Sequence, residues 1–231
     1  MNLTRRLVQL YAGLVLYGTS MAMQIRAALG LDPWDVFHQG LARHTGLAFG
    51  TVTMVVGAAV LLLWIPLRQR PGLGTVSNVF VIGLSVDAAL ALIPAPHGLP
   101  TRVVVLVAAI VLNGVAGGLY IGARFGPGPR DGLMTGFSRR TGYSVRLVRT
   151  CIEVTVLGVG LLLGGSVGIG TIAYALAIGP LVQLFLPLFT VPQRGARAGA
   201  PAGQEPGAGA DAEGERRFAD PAVREWATTN R

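Results

Sequence analysis

Asp35, Arg130 and Asp131 are charged residues set in two short segments that echo one another. The segments are GLDPWDVFHQGLARHTG at 30–46 and GPGPRDGLMTGFSRRTG at 126–142. Gly, Pro, Asp, Gly, Arg, Thr and Gly coincide between them. Pro33 and Pro129 suit the first helical position, where the N–H has no intrahelical partner to lose. Asp32 is a good N-cap, and Asp35 suits the third helical position. Each segment closes with basic residues and Thr-Gly, which complement a helix C-terminus. The chemistry this allows is ion binding. Free N–H groups and the macrodipole draw an anion to a helix N-terminus, and Arg130 would add to that pull. The plainer alternative is mechanical: Trp34, Phe37 and Leu41, at helical spacing, would seat an amphipathic connector in the headgroup layer.

Two more acids fall inside apolar runs. Asp87 lies near the middle of one, where a carboxylate is costly and usually functional. It therefore joins Asp35, Arg130 and Asp131 as a candidate substrate-binding residue. Glu153 stands one turn after Arg149, the spacing of a snorkelling ion pair. Asn78 and Asn113 fit hydrogen bonds between helices, or a cavity wall. The Gly-x-Gly-Thr turns at 72–75 and 168–171 lack the lysine and spacing of a phosphate loop, and each Thr reads as an N-cap. There is no H-E-x-x-H, no metal-ligand cluster, and no nucleophile–base pair in the apolar runs. The expectation is a protein without catalytic residues, metal or cofactor, and not an enzyme.

The elements that must position these residues are membrane helices. The 231 residues are 52% hydrophobic and 13% charged, with a mean hydropathy of +0.56. An ordinary soluble domain is about a quarter charged. Apolar runs predict six spans at about 7–29, 47–67, 75–95, 102–124, 145–165 and 170–190, each near the ~20 residues a bilayer requires. The segments 33–44 and 129–140 are too short to span and read as interfacial or re-entrant helices. The lone cysteine, Cys151, reads as a small buried core residue.

All 19 basic residues are Arg, and the net charge is +8. That excess sits in the loops of residues 1–192, where it acts as an insertion signal, so nucleic acid is not an expected partner. Twelve Arg in the termini and even-numbered gaps against three in the odd-numbered gaps put both termini in the cytoplasm. Residues 30–93 match 126–189 at 19 of 64 positions with a constant offset of 96. Each half, 1–95 and 96–192, is then one helix, a short helix and two more helices. Three spans per half turns the second half upside down relative to the first, a recurrent transporter design. The tail, 193–231, has the Gly/Pro/Ala bias of a disordered segment.

Through GLDPWDVFHQGLA, GLGTVSNVFVIGLSVD and GPGPRDGLMTGFSRRTGYSVRLVRTCIE, the chain resembles the YczE/YyaS/YitT-type bacterial integral membrane proteins over about residues 7–190. The resemblance implies a multi-pass protein of the bacterial plasma membrane, and supplies no reaction or substrate. The expected fold is all-α, six transmembrane helices as two inverted three-helix repeats. The expected function is a small transporter or exporter of an unidentified small molecule, with an anion as the candidate the helix N-termini suggest. The alternative is a non-transporting scaffold or regulator acting through a protein partner. The bilayer is the one partner the composition names; the oligomeric state stays open.

Overall fold

The computed structural model describes residues 3–190, so the 193–231 tail lies outside the described residues. Eight helices follow one another: α1 Leu3–Ala27, α2 Pro33–Thr45, α3 Phe49–Trp64, α4 Leu73–Leu92, α5 Leu99–Gly122, α6 Pro129–Thr141, α7 Val145–Leu162 and α8 Ile169–Phe189. No strand occurs among the described residues. Local chemistry sets the short helices. Asp32 caps α2 by accepting the Asp35 N–H at 2.8 Å, and Pro stands in the first turn of both α2 and α6. Gly46 and Gly142 close them in the left-handed conformation, with φ of 71° and 76°, which costs a residue without Cβ nothing. At about 20 Å each, α2 and α6 fall short of the ~30 Å hydrocarbon layer.

Three helices, α4, α5 and α8, are long and apolar enough to cross a membrane by length and composition. A fourth span arises if α2 and α3, which meet at a 113° bend, count as one broken unit. By the same measure α3 is short, at 16 residues, while α1 is less apolar, with Gln9, Thr19, Ser20 and Gln24 along it, and α7 carries Arg146, Arg149 and Glu153. Large apolar side chains face outward over much of the surface, among them Leu62, Leu84, Leu162, Leu176 and Leu188. Cys151 is one of the exposed residues, which corrects the expectation of a core position. It lies on the same outward face of α7 as its neighbours Val154 and Thr155.

The 96-residue offset recurs in the bonding. The Gly74 N–H donates to the Phe125 carbonyl at 2.9 Å, and the Gly170 N–H donates to the Leu29 carbonyl at 2.8 Å. Arg6 donates to the carbonyls of Ala123 and Arg124 at the end of α5. Its counterpart Arg102 donates to those of Ala27 and Ala28 at the end of α1. Each bond runs from one half to the other, and its twin runs back. Ala28 and Arg124, also 96 apart, share the positive φ that ends those two helices.

Packing sorts the helices into two groups. α1 packs on α4 and α5, and α5 on α8; α2 packs on α3 and α7, and α6 on α3 and α7. One main seam joins the groups, where α3 lies along α4. It is drawn tight by small residues: a Cβ added to Gly50 would sit 1.9 Å from the Gly83 carbonyl oxygen. The equivalent seam, α7 along α8, is not formed. A Cβ at Gly179, the counterpart of Gly83, would meet nothing within 4 Å.

Candidate functional site

The N-termini of α2 and α6 meet between the two groups. Arg130, one residue into α6, places its guanidinium 3.8 Å from Asp32 Oδ1 and 3.6 Å from Asp35 Oδ1. It also lies over the Trp34 ring, 5.0 Å from the centroid. His38, a turn further along α2, is buried, with Nδ1 3.2 Å from Asp35 Oδ1 and 3.5 Å from Thr53 Oγ1. What holds α6 in place is Trp64. Its Nε1 donates to the Pro129 carbonyl at 3.1 Å, and its ring fills the space where Gly132 has no side chain.

In front of the ion cluster lies a cavity of about 360 Å³. Both helix groups line it: Tyr17, Asn113, Tyr120 and Tyr174 on one side, and Trp34, His38, Arg130 and Asp131 on the other. Asn113 organises the first wall, donating to Ser20 Oγ at 2.7 Å and accepting from Tyr174 Oη at 3.1 Å. It therefore both bridges helices and faces the cavity. Tyr120 Oη donates to Asp131 Oδ2 at 3.2 Å. The gap between α7 and α8 is lined by Arg149 and Glu153 from α7, and by Gly179, Val182 and Gln183 from α8. Arg149 Nε bonds Glu153 Oε1 at 2.8 Å, the i,i+4 pair expected from spacing.

On α2, outside the spanning helices, burial governs the charges. It pushes Asp32 up to about 6, helped by neighbouring Asp35 and opposed by Arg130. It pushes Asp35 up to about 6 against the pull of Arg130, and it lowers His38 to about 3. His38 is thus neutral near pH 7 and acts as a hydrogen-bonding group rather than a charge.

The sequence-derived candidates separate in space. Arg130 and Asp131 line the cavity. Asp35 lies behind Arg130, fully buried. Asp87 does not line the cavity. Its Oδ1 accepts the Gly50 N–H at 2.7 Å, so it caps the first turn of α3 from across the α3–α4 seam. Asp87→Ala is accordingly expected to lower stability by about 0.5–2 kcal/mol, the usual loss of a cap. Asp87→Asn, which keeps an acceptor, should stay close to wild type; thermal unfolding in detergent measures both. The anion expectation rested on the α6 N-terminus with Arg130 adding to its pull, and here two carboxylates hold that guanidinium.

Tyr17, Trp34, His38, Tyr120 and Tyr174 were not among the sequence candidates. A signal for three of them existed in the repeat. Trp34 pairs with Arg130 at the offset, Asn78 with Tyr174, and Tyr17 with Asn113, which marks these positions as polar or aromatic in both halves.

A chain whose described residues fold into helices, with lipid-compatible outer faces around a cavity that holds charged groups in its wall, is a membrane protein. It belongs to a family of unknown function, DUF6198, whose profile matches residues 4–187. An uncharacterized protein of Haemophilus influenzae is 38% identical over 173 residues, covering 75% of this chain and 79% of that one. The uncharacterized membrane protein YczE of Bacillus subtilis is 34% identical over 179 residues, 77% of this chain and 83% of its own. YyaS of the same organism, also uncharacterized, is 24% identical over 183 residues. No solved structure matches.

Proposed function

We propose that this chain is a small transporter or exporter of the bacterial plasma membrane that moves a polar solute through the central cavity. The observation that carries the reading is the inequality of two equivalent seams. α3 and α4 are closed on one side of the cavity, while α7 and α8 stand apart on the other. Exchanging these two states would open the cavity alternately to the two sides of the membrane, with the helix groups rocking about the α2 and α6 N-termini. A cavity with charged groups in its wall favours this over a scaffold, for which a dry, well-packed interior would suffice.

In this reading α1, α3, α4, α5, α7 and α8 span the bilayer, α2 and α6 enter from opposite faces, and both termini are cytoplasmic. The reciprocal bonds between halves and the Arg distribution support it. The test uses a Cys151→Ser background. Arg146→Cys with Gly179→Cys occupies the α7–α8 positions that correspond to the Gly50–Gly83 contact. Oxidation in membranes should cross-link this pair, trapping the seam closed. In the same background, the exposed twins Thr45→Cys and Thr141→Cys should react with an impermeant thiol reagent from opposite faces. A pair that never cross-links, or twins labelled from one face, would sink the alternating reading.

A further inference from the structure

Residues 1–192 contain five acids, and four of them gather at the cavity: Asp32, Asp131 and Glu153 in its wall, and Asp35 directly behind Arg130. Only two guanidiniums, Arg130 and Arg149, stand against them. Arg130 is shared between Asp32 and Asp35, and Arg149 is taken by Glu153. Asp131 has no ion-pair partner among the described residues; its Oδ2 takes one hydrogen bond, from Tyr120. A carboxylate excess in a membrane interior attracts positive charge, since leaving it uncompensated is costly.

Two buried polar atoms at this place also lack a partner among the described residues: Asp35 Oδ2 and Trp34 Nε1. Asp35 is 0% exposed, and Trp34, a wall residue, is 6% exposed. Buried polar groups are nearly always satisfied, so an N–H held in a cavity wall points to a ligand atom that accepts from it. Three aromatic rings, Tyr17, Tyr120 and Tyr174, stand around the same space, among aliphatic wall residues such as Val60, Ile82 and Met134. Aromatic faces beside carboxylates are the surroundings in which alkylammonium groups bind.

We propose that the cavity takes a small organic cation, an amine or quaternary ammonium compound that also carries a hydrogen-bond acceptor. Its head lies toward Asp131 and the tyrosines, and its acceptor lies on Trp34 Nε1. The cationic head takes the place of a proton on one of the carboxylates, so the charge of the site balances. This rests on the transport reading only for the ligand being cargo. Binding is read separately: cross-linking of α7 to α8 with no cation effect would defeat this inference and leave that one standing.

The experiment is thermal unfolding of the full chain in detergent with choline chloride as probe. Sodium chloride at equal ionic strength is the baseline, and sodium acetate is the anionic comparison. Choline should raise Tm in a dose-dependent, saturable way, and acetate should match sodium chloride. Asp131→Asn should weaken the apparent choline affinity by about tenfold or more. Glu153→Gln, in the same wall, serves where Asp131→Asn does not fold. Stabilisation by acetate above choline, no effect of choline on wild type, or equal choline shifts in wild type and a well-folded variant would each overturn the assignment.

Discussion

Gly83→Leu and Gly179→Leu, the same change at equivalent positions of the two halves, should have opposite consequences. At Gly83 a Cβ would already stand 2.4 Å from Met54 Cγ and 2.7 Å from the Gly50 carbonyl oxygen. Leucine there must force α3 from α4. Overpacking costs about 1–3 kcal/mol where neighbours can shift, and a backbone oxygen cannot shift without its helix. At Gly179 nothing lies within 4 Å, and replacing a mid-helix glycine even favours the helix by roughly 0.5–1 kcal/mol. Gly179→Leu should therefore unfold at or above the wild-type temperature. On the transport reading it should also be inactive, because α7 can no longer close on α8 at a bare backbone. Thermal unfolding of the two variants beside wild type separates the outcomes. If Gly179→Leu lost as much stability as Gly83→Leu, the two seams would be alike and the asymmetry would carry no function.

The second large effect belongs to Arg130. Its side chain is 26% exposed, while Asp32 and Asp35 beneath it are almost fully enclosed. Arg130→Ala leaves two buried carboxylates facing one another with no cation. Breaking a buried pair in this way costs about 3–5 kcal/mol. The loss should exceed that of any other single change in the site, and it should be partly undone by adding Asp35→Asn, which removes the charge left stranded. Arg130→Lys should rescue poorly, since an ammonium gives up the planar stacking on Trp34 and the forked reach to both acids. Thermal unfolding of the four proteins measures this. Arg130→Ala as stable as wild type would mean that the cluster does not hold the halves together.

Some of this was legible in the sequence because it depends on neighbours in the chain. The short helices were expected at 33–44 and 129–140 and occur at Pro33–Thr45 and Pro129–Thr141, since proline at the start and glycine at the end act within one turn. The Gly-x-Gly-Thr turns do open helices, but the expected threonine caps are corrected: Gly72 and Gly168 are the N-caps, and Thr75 and Thr171 stand at the third helical position, accepting the Gly72 and Gly168 N–H groups. What escaped depends on which face of a helix meets which neighbour. α4 has apolar residues nearly all round, so no periodicity tells whether Asp87 points to a cavity or to the start of α3. Tyr17, Tyr120 and Tyr174 are scattered over three apolar helices, and only the packing of α1, α5 and α8 brings them to one wall. The partnership of Arg130 with Asp32 and Asp35 was hidden for the same reason. The repeat aligned Arg130 with Trp34, but alignment says nothing of contact, and the two residues in fact lie face to face.

The ion cluster has a consequence in time. Asp32 and Asp35 belong to the first half of the chain and their cation to the second. A ribosome adding about 5–20 residues per second delivers Arg130 roughly 5–20 s after Asp32. Arg6 waits as long for the Ala123 and Arg124 carbonyls it will bind. During that interval the first short helix has no reason to stay buried. Its acids can remain at the aqueous surface, and insertion of α2 becomes a late step, triggered by the arrival of α6. The protein would thus be assembled by a handshake between its two halves, and the first half alone would be a biosynthetic intermediate rather than a folded unit.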